Sequence, residues 1–220
     1  MAVDLHPLPL RHKPVRRFTQ LLLGLVLFGV SVAMQVRATL GLNPWDVLHE
    51  GLTKQTPLSF GTASAITGLA VLALWLPLRQ RPGIGTVLNV VVISGTVDIA
   101  LAVMPSPTSL PVRAALLISG IVANGLGTAA YIGTRLGPGP RDGLMTGLAA
   151  RTRWSLRLVR TAIEVTVLAG GFLLGGTVGI GTVLFAVSIG PLTQAFLRWF
   201  VVPNQDSAVG SGFDQRSERR

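Results

Sequence analysis

The sequence predicts an all-α polytopic membrane protein: six transmembrane helices as two inverted three-helix repeats, with short broken or amphipathic helices after spans one and four. Three observations predict it. The chain of 220 residues is 49% apolar and only 13% charged, about half the charged share of a soluble domain. It repeats itself: residues 24–102 align with 120–198 without a gap, with 26 identities in 79 positions at a constant offset of 96. GIGTVL stands at 83–88 and again at 179–184, and LGLNPWDVL at 40–48 returns as LGPGPRDGL at 136–144. Finally, Lys and Arg gather where apolar segments end, the pattern that orients membrane helices.

The elements follow in order. Residues 1–17 are polar and proline-broken and read as a cytoplasmic N-terminal arm. Span one covers Phe18 to Val36; its basic flank resembles a signal-peptide h-region, but its length and its repeat counterpart at 114–132 make it part of the fold. Spans two and three cover 60–78 and 84–103, and spans four, five and six cover 114–133, 155–174 and 180–200. Each approaches the roughly 20 residues that cross a bilayer as a helix. One membrane domain therefore spans 18–200, with repeat one at about 18–105 and repeat two at about 113–200. The polar Gly/Ser-bearing tail, 201–220, reads as a disordered cytoplasmic tail.

After spans one and four the chain reads LGxxP and then Asp. Pro44 and Pro140 end the preceding helix, and Asp46 and Asp142 are placed to cap the short helix that follows. These segments are candidate broken-helix caps or gates; they either dip into the membrane or lie on its surface. The glycines of GIGTVL suit a tight turn and close helix approach, since no Lys-Ser/Thr follows as in a phosphate loop. Trp45, Trp75, Trp154 and Trp199 fall near span ends, as an interfacial aromatic belt requires.

Orientation follows from counting basic residues. With the N-terminus inside, sixteen Lys and Arg are cytoplasmic and three, Arg37, Lys54 and Arg113, are external. Both termini are then cytoplasmic. Each repeat holds three spans, an odd number, so the second half enters the membrane inverted.

The sharpest candidate for function is Glu164, about ten residues into span five. A carboxylate at that depth costs at least ~2.5–3.5 kcal/mol, so it should face the interior and have a partner. Arg160, one turn earlier, can reach it. The pair is either a proton- or substrate-binding site or a structural ion pair. Its half-one equivalents are Gly68 and Ser64, so the charge is asymmetric. Asp98 in span three and its repeat partner Gln194 in span six complete the candidate intramembrane polar site. Asn89 and Asn124 read as interhelical hydrogen-bonding amides. No catalytic Ser/His/Asp set, nucleotide motif or metal-ligand spacing is present; three scattered His and no Cys offer no metal site. No enzymatic activity, cofactor or metal is expected.

The motifs LGLNPWDVL (40–48), GPGPRDGLMTGL (137–148), RLVRTAIEV (157–165) and VGIGTVLFAVSIGPLTQ (178–194) resemble those of the YczE/YyaS/YitT family of bacterial integral membrane proteins, most closely its YczE-like branch. Arg141-Asp142-Gly143 and the Arg160…Glu164 pair are the most specific. The resemblance covers 18–200 and implies a multi-pass bacterial plasma-membrane protein; some members are associated with secondary-metabolite or peptide production.

The function expected is a small secondary transporter or exporter of a small molecule or ion. The alternative is a membrane scaffold that supports a cytoplasmic partner through its basic inner face. The bilayer and a small-molecule substrate are the expected partners, nucleic acid is not, and association into a homo-oligomer is left open.

Overall fold

The computed structural model describes Pro9 and residues 11–202, and these form eight helices and no strand. The helices are α1 (Pro14–Ala38), α2 (Pro44–Gln55), α3 (Phe60–Leu78), α4 (Ile84–Val103), α5 (Leu110–Gly133), α6 (Pro140–Thr152), α7 (Leu156–Leu173) and α8 (Ile180–Phe200). Five of them, α1, α3, α4, α5 and α8, are long and apolar enough to cross a membrane. Helix α7 has the length but carries Arg157, Arg160 and Glu164. Most of the expected 1–17 arm and the tail from 203 onward lie outside the described residues.

The arm ends earlier than expected. Pro14 stands in the first turn of α1, where its missing N–H costs nothing, so the helix starts four residues before Phe18. This brings Arg17 into the fold, fully buried.

Helices α1 and α5 form the central pair and run antiparallel. Arg17 Nε donates to the carbonyl of Thr134 (2.8 Å), at the far end of α5. Arg113 Nε donates to the carbonyl of Ala38 (2.8 Å), at the far end of α1. The last carbonyls of a helix have no partner within it, and the two guanidinium groups supply one at both ends of the pair. Between the clamps the backbones nearly touch: a Cβ on Gly24 would lie 2.9 Å from the nitrogen of Tyr131. Only a glycine permits that approach.

The clamps are copies of each other at the same offset of 96, Arg17 matching Arg113 and Ala38 matching Thr134. The turn motifs repeat the relation. Gly181 N donates to Leu40 O (2.8 Å) and Gly85 N to Leu136 O (3.1 Å). The LG turn of each half thus docks on the GIGT of the other. Gly41 and Gly137 hold φ of 110° and 135°, a region that disfavours any other residue. Thr86 and Thr182 accept through Oγ1 from the backbone N–H of Gly83 (3.1 Å) and Gly179 (3.2 Å), which fixes the helix starts. GIGTVL is therefore a helix start and the landing site for the opposite half.

One packing relation is broken. Helix α3 packs along α4, but their counterparts α7 and α8 are not packed along each other. Helix α7 lies on α2 and α6, while α8 lies on α5.

Candidate functional site

The two short helices carry the site inward. Each follows a long helix through a glycine turn and begins with proline. Residues Leu42, Asn43, Trp45, Asp46, Val47 and His49 are all at most 5% exposed. So α2 is an interior helix and not one lying on the surface. Its first turn meets the first turn of α6: the guanidinium of Arg141 lies 3.8 Å from Asp46 and stacks over the Trp45 ring at 4.9 Å.

The caps differ from expectation. Pro44 and Pro140 occupy the first helical turn, so the capping residues are Asn43 and Gly139. Asp46 and Asp142 fall inside the first turn. Asn43 Oδ1 accepts from the backbone N–H of Trp45 and of Asp46 (both 3.1 Å). Gly139 has no side chain, and the N–H groups of Arg141 and Asp142 have no acceptor among the described residues.

Between these first turns lies a cavity of about 160 Å³, walled by α1 and α5 on one side and by α3, α4, α7 and α8 around it. Its floor is charged. The Asp46 carboxylate takes the Asn43 amide and His49 Nδ1 (3.2 Å). The Asp142 carboxylate accepts from the Tyr131 hydroxyl (3.2 Å). Trp75 Nε1 donates to Pro140 O (3.0 Å), which holds the α6 start in place. On α7, Arg160 Nε donates to Glu164 Oε1 (2.9 Å), and both residues line the cavity.

Of the residues singled out from sequence, Glu164, Arg160, Asp142, Pro44 and Pro140 line this one cavity, with Asp46 immediately behind Arg141. Asp98 and Gln194 do not. The Asp98 carboxylate accepts from the backbone N–H of Gly61 (2.7 Å) and from the Ser59 hydroxyl, so it binds the start of α3. Gln194 is exposed on α8. Asn124 donates to Ser31 Oγ (2.9 Å), joining α5 to α1, and Asn89 lines the cavity. Trp45 and Trp75 are buried at 5% and 2% exposure, not in a belt; Trp154 and Trp199 are exposed, as a belt requires.

Sequence reading did not single out His49, Tyr131, Trp45 or Arg141 as site residues. For Arg141 a signal was present: it follows the helix-starting proline where half one has Trp45. A first-turn arginine runs against the helix dipole, and such a cost calls for a local reason.

Where α3 and α4 close the wall in half one, α7 and α8 leave it open in half two. Arg160 and Glu164 stand on one side of this gap, Phe185 and Ile189 on the other. The Arg160 side chain is 57% exposed and that of Glu164 34%. Both line the cavity, and neither is enclosed by it. Among the described residues no group of three metal-ligating side chains comes together.

Comparison with known proteins shows the family. Residues 15–198 match a family described as "Family of unknown function (DUF6198)". An "Uncharacterized protein" of Haemophilus influenzae is 44% identical over 178 residues, covering 81% of this chain and 82% of its own. The "Uncharacterized membrane protein YczE" of Bacillus subtilis is 33% identical over 193 residues, covering 86% and 87%. The "Uncharacterized protein YyaS" of Bacillus subtilis is 26% identical over 179 residues, covering 80% and 89%. No solved structure matches the fold.

Proposed function

The chain belongs to the YczE/YyaS-like family of membrane proteins, and from that premise we propose that it is a small secondary transporter of a small molecule or ion. The observation that carries this is the charged cavity between the first turns of two interior half-helices, one from each repeat. Gathering Arg141, Asp142 and Tyr131 around one cavity, with Asp46 buried behind them, is costly in an otherwise apolar molecule, and the cost is accounted for if the group handles a polar substrate. Broken helices whose N-termini face a shared site are the usual device for holding ions and substrates in such proteins.

The proposal includes six spans as two inverted repeats, both termini cytoplasmic, and a pseudo-two-fold axis in the membrane plane. Support comes from the antiparallel α1–α5 pair and from the reciprocal docking of each LG turn on the opposite GIGT. Helix α7 serves as the sixth span: Arg160 and Glu164 line the cavity, and Arg157 stands in its first turn, near the cytoplasmic end of the span. The basic bias sets the orientation. Reporter fusions after residues 57, 110 and 177 should read external, and after 81, 150 and 205 internal. An external reading at 205 removes the six-span arrangement.

Transport itself is tested with purified protein in liposomes loaded with a small-metabolite extract. Species that leave vesicles holding the native chain, but not vesicles holding Glu164→Gln, identify the substrate. A protein that moves nothing, yet captures a soluble partner from the cytoplasm, is a scaffold instead.

A further inference from the structure

We propose that the start of α6 binds an anionic group, a carboxylate or phosphate, and that the transported molecule carries it. The inference rests on the cavity being the substrate site. It starts from three sets of donors without acceptors. The N–H groups of Arg141 and Asp142 open the helix with nothing to cap them, because Gly139 lacks a side chain. The guanidinium of Arg141 has no hydrogen-bonded acceptor among the described residues; its nearest carboxylate, Asp46, is 3.8 Å away. The indole N–H of Trp45, a residue 5% exposed that lines the same cavity, is buried without an acceptor.

The acids nearby offset the charge of Arg141 without taking its hydrogen bonds. Asp46 is engaged by Asn43 and His49, Asp142 by Tyr131 and Glu164 by Arg160. Each carboxylate has its own donor. Of the donors left over, the Arg141 guanidinium stacks on the Trp45 ring and follows directly on the start of α6. A planar, five-donor guanidinium beside two uncapped backbone N–H groups at a positive helix end matches the oxygens of a carboxylate or phosphate. The start of α2 cannot do the same, because the Asn43 side chain already occupies its N–H groups. The site is therefore one-sided, although the frame around it is repeated.

The test is the thermal unfolding midpoint of the full chain in lipid nanodiscs, titrated with sodium acetate, sodium phosphate or sodium chloride at matched sodium. Three variants accompany the native chain. Arg141→Gln removes the fork. Gly139→Ser places a hydroxyl cap at the start of α6; the backbone φ of −62° suits serine, and its Cβ would stand 3.1 Å from the Tyr131 hydroxyl and 3.2 Å from Asp142 Oδ2, so these two side chains must shift by a few tenths of an ångström. Trp45→Phe keeps the ring and deletes the N–H. Acetate or phosphate should raise the native midpoint with saturation, and whichever acts at lower concentration names the group. Gly139→Ser and Arg141→Gln should each weaken that response about tenfold, the effect of losing a hydrogen bond to a charged group. Trp45→Phe should weaken it less. Should Arg141→Gln or Gly139→Ser fail to fold, the other decides together with Trp45→Phe, which adds no atom to the site. Equal responses in native and Gly139→Ser protein, or a response to chloride alone, overturn the proposal. Binding without flux in liposomes would keep the anion site and remove the transporter reading; flux of a cation or neutral molecule without anion binding would do the reverse.

Discussion

Asn43 and Gly139 hold the same place in the two halves of the chain and do opposite things. Asn43 folds its amide over the start of α2 and satisfies the helix from within. Gly139 leaves the start of α6 uncovered. The contrast runs outward from there. Trp45 in half one faces Arg141 in half two; Ser64 and Gly68 on α3 correspond to Arg160 and Glu164 on α7; α3 is packed on α4 while α7 stands apart from α8. Half one is a closed, self-capped wall, and half two is open and charged. What both halves keep is the frame: the arginine clamps, the LG turns and the GIGT helix starts. A duplicated fold can therefore hold its skeleton by exchange between copies while one copy alone acquires the uncapped helix start and the charged pair on its second span.

The largest effect should come from forcing half one's residue into half two. Gly143 occupies the place of Val47, and a Cβ there would lie 2.0 Å from the Trp75 ring. Gly143→Val should cost at least the ~1–3 kcal/mol of ordinary overpacking and empty the membrane of folded protein, read as detergent-soluble monodisperse material on size exclusion. Normal yield would mean that α6 does not sit against Trp75.

Next come the clamps. Arg17 is fully buried and Arg113 is partly exposed, although they make matching bonds. Arg17→Gln should lose about 2–3 kcal/mol and Arg113→Gln about 1 kcal/mol, because only the buried carbonyls are left without water. Equal losses, measured by thermal midpoint in the same nanodiscs, would show that burial is not what separates the two ends.

The ion pair of α7 separates structure from chemistry. If Arg160 and Glu164 serve folding only, Glu164→Gln and Arg160→Gln should each lower abundance, and the double change should restore it. If Glu164 holds a proton or substrate, Glu164→Gln should remain folded and inactive, and Arg160→Gln should not rescue it. Normal abundance with normal flux in Glu164→Gln would leave neither account standing.

The smallest effect concerns the cap itself. Asn43→Gly makes α2 resemble α6 and should cost only a few tenths of a kcal/mol as a cap, with more if the Asp46 contact matters. A loss of several kcal/mol would place Asn43 in the site rather than in the frame.

Much of this was legible in the sequence. All eight helices were legible, the six long ones to within four residues at either end, because apolar length and Gly/Pro punctuation are local signals. The Arg160–Glu164 pair was legible for the same reason, being one turn apart on one helix. What was not legible depends on which elements meet. Asp98 looked like an intramembrane charge by depth alone, but the start of α3 reaches it across the bundle. Trp45 looked interfacial by its position after a span, but the chain turns back at Gly41 and carries it inside. Arg17 looked like part of a loose arm, and only the antiparallel mate α5 gives its guanidinium carbonyls to hold. His49 and Tyr131 join the site through partners on the same or neighbouring helices, a placement that no spacing rule encodes.

The antiparallel pair α1–α5 is tied at both ends by guanidinium–carbonyl bonds and touches backbone to backbone between them. A member fixed in this way cannot bend or slide without breaking several bonds at once. It is the axle of the molecule. On the transporter reading proposed above, a displacement that exposes the cavity to one side and then the other would turn about it, and the seam between α7 and α8, which are not packed on each other, is where it would open.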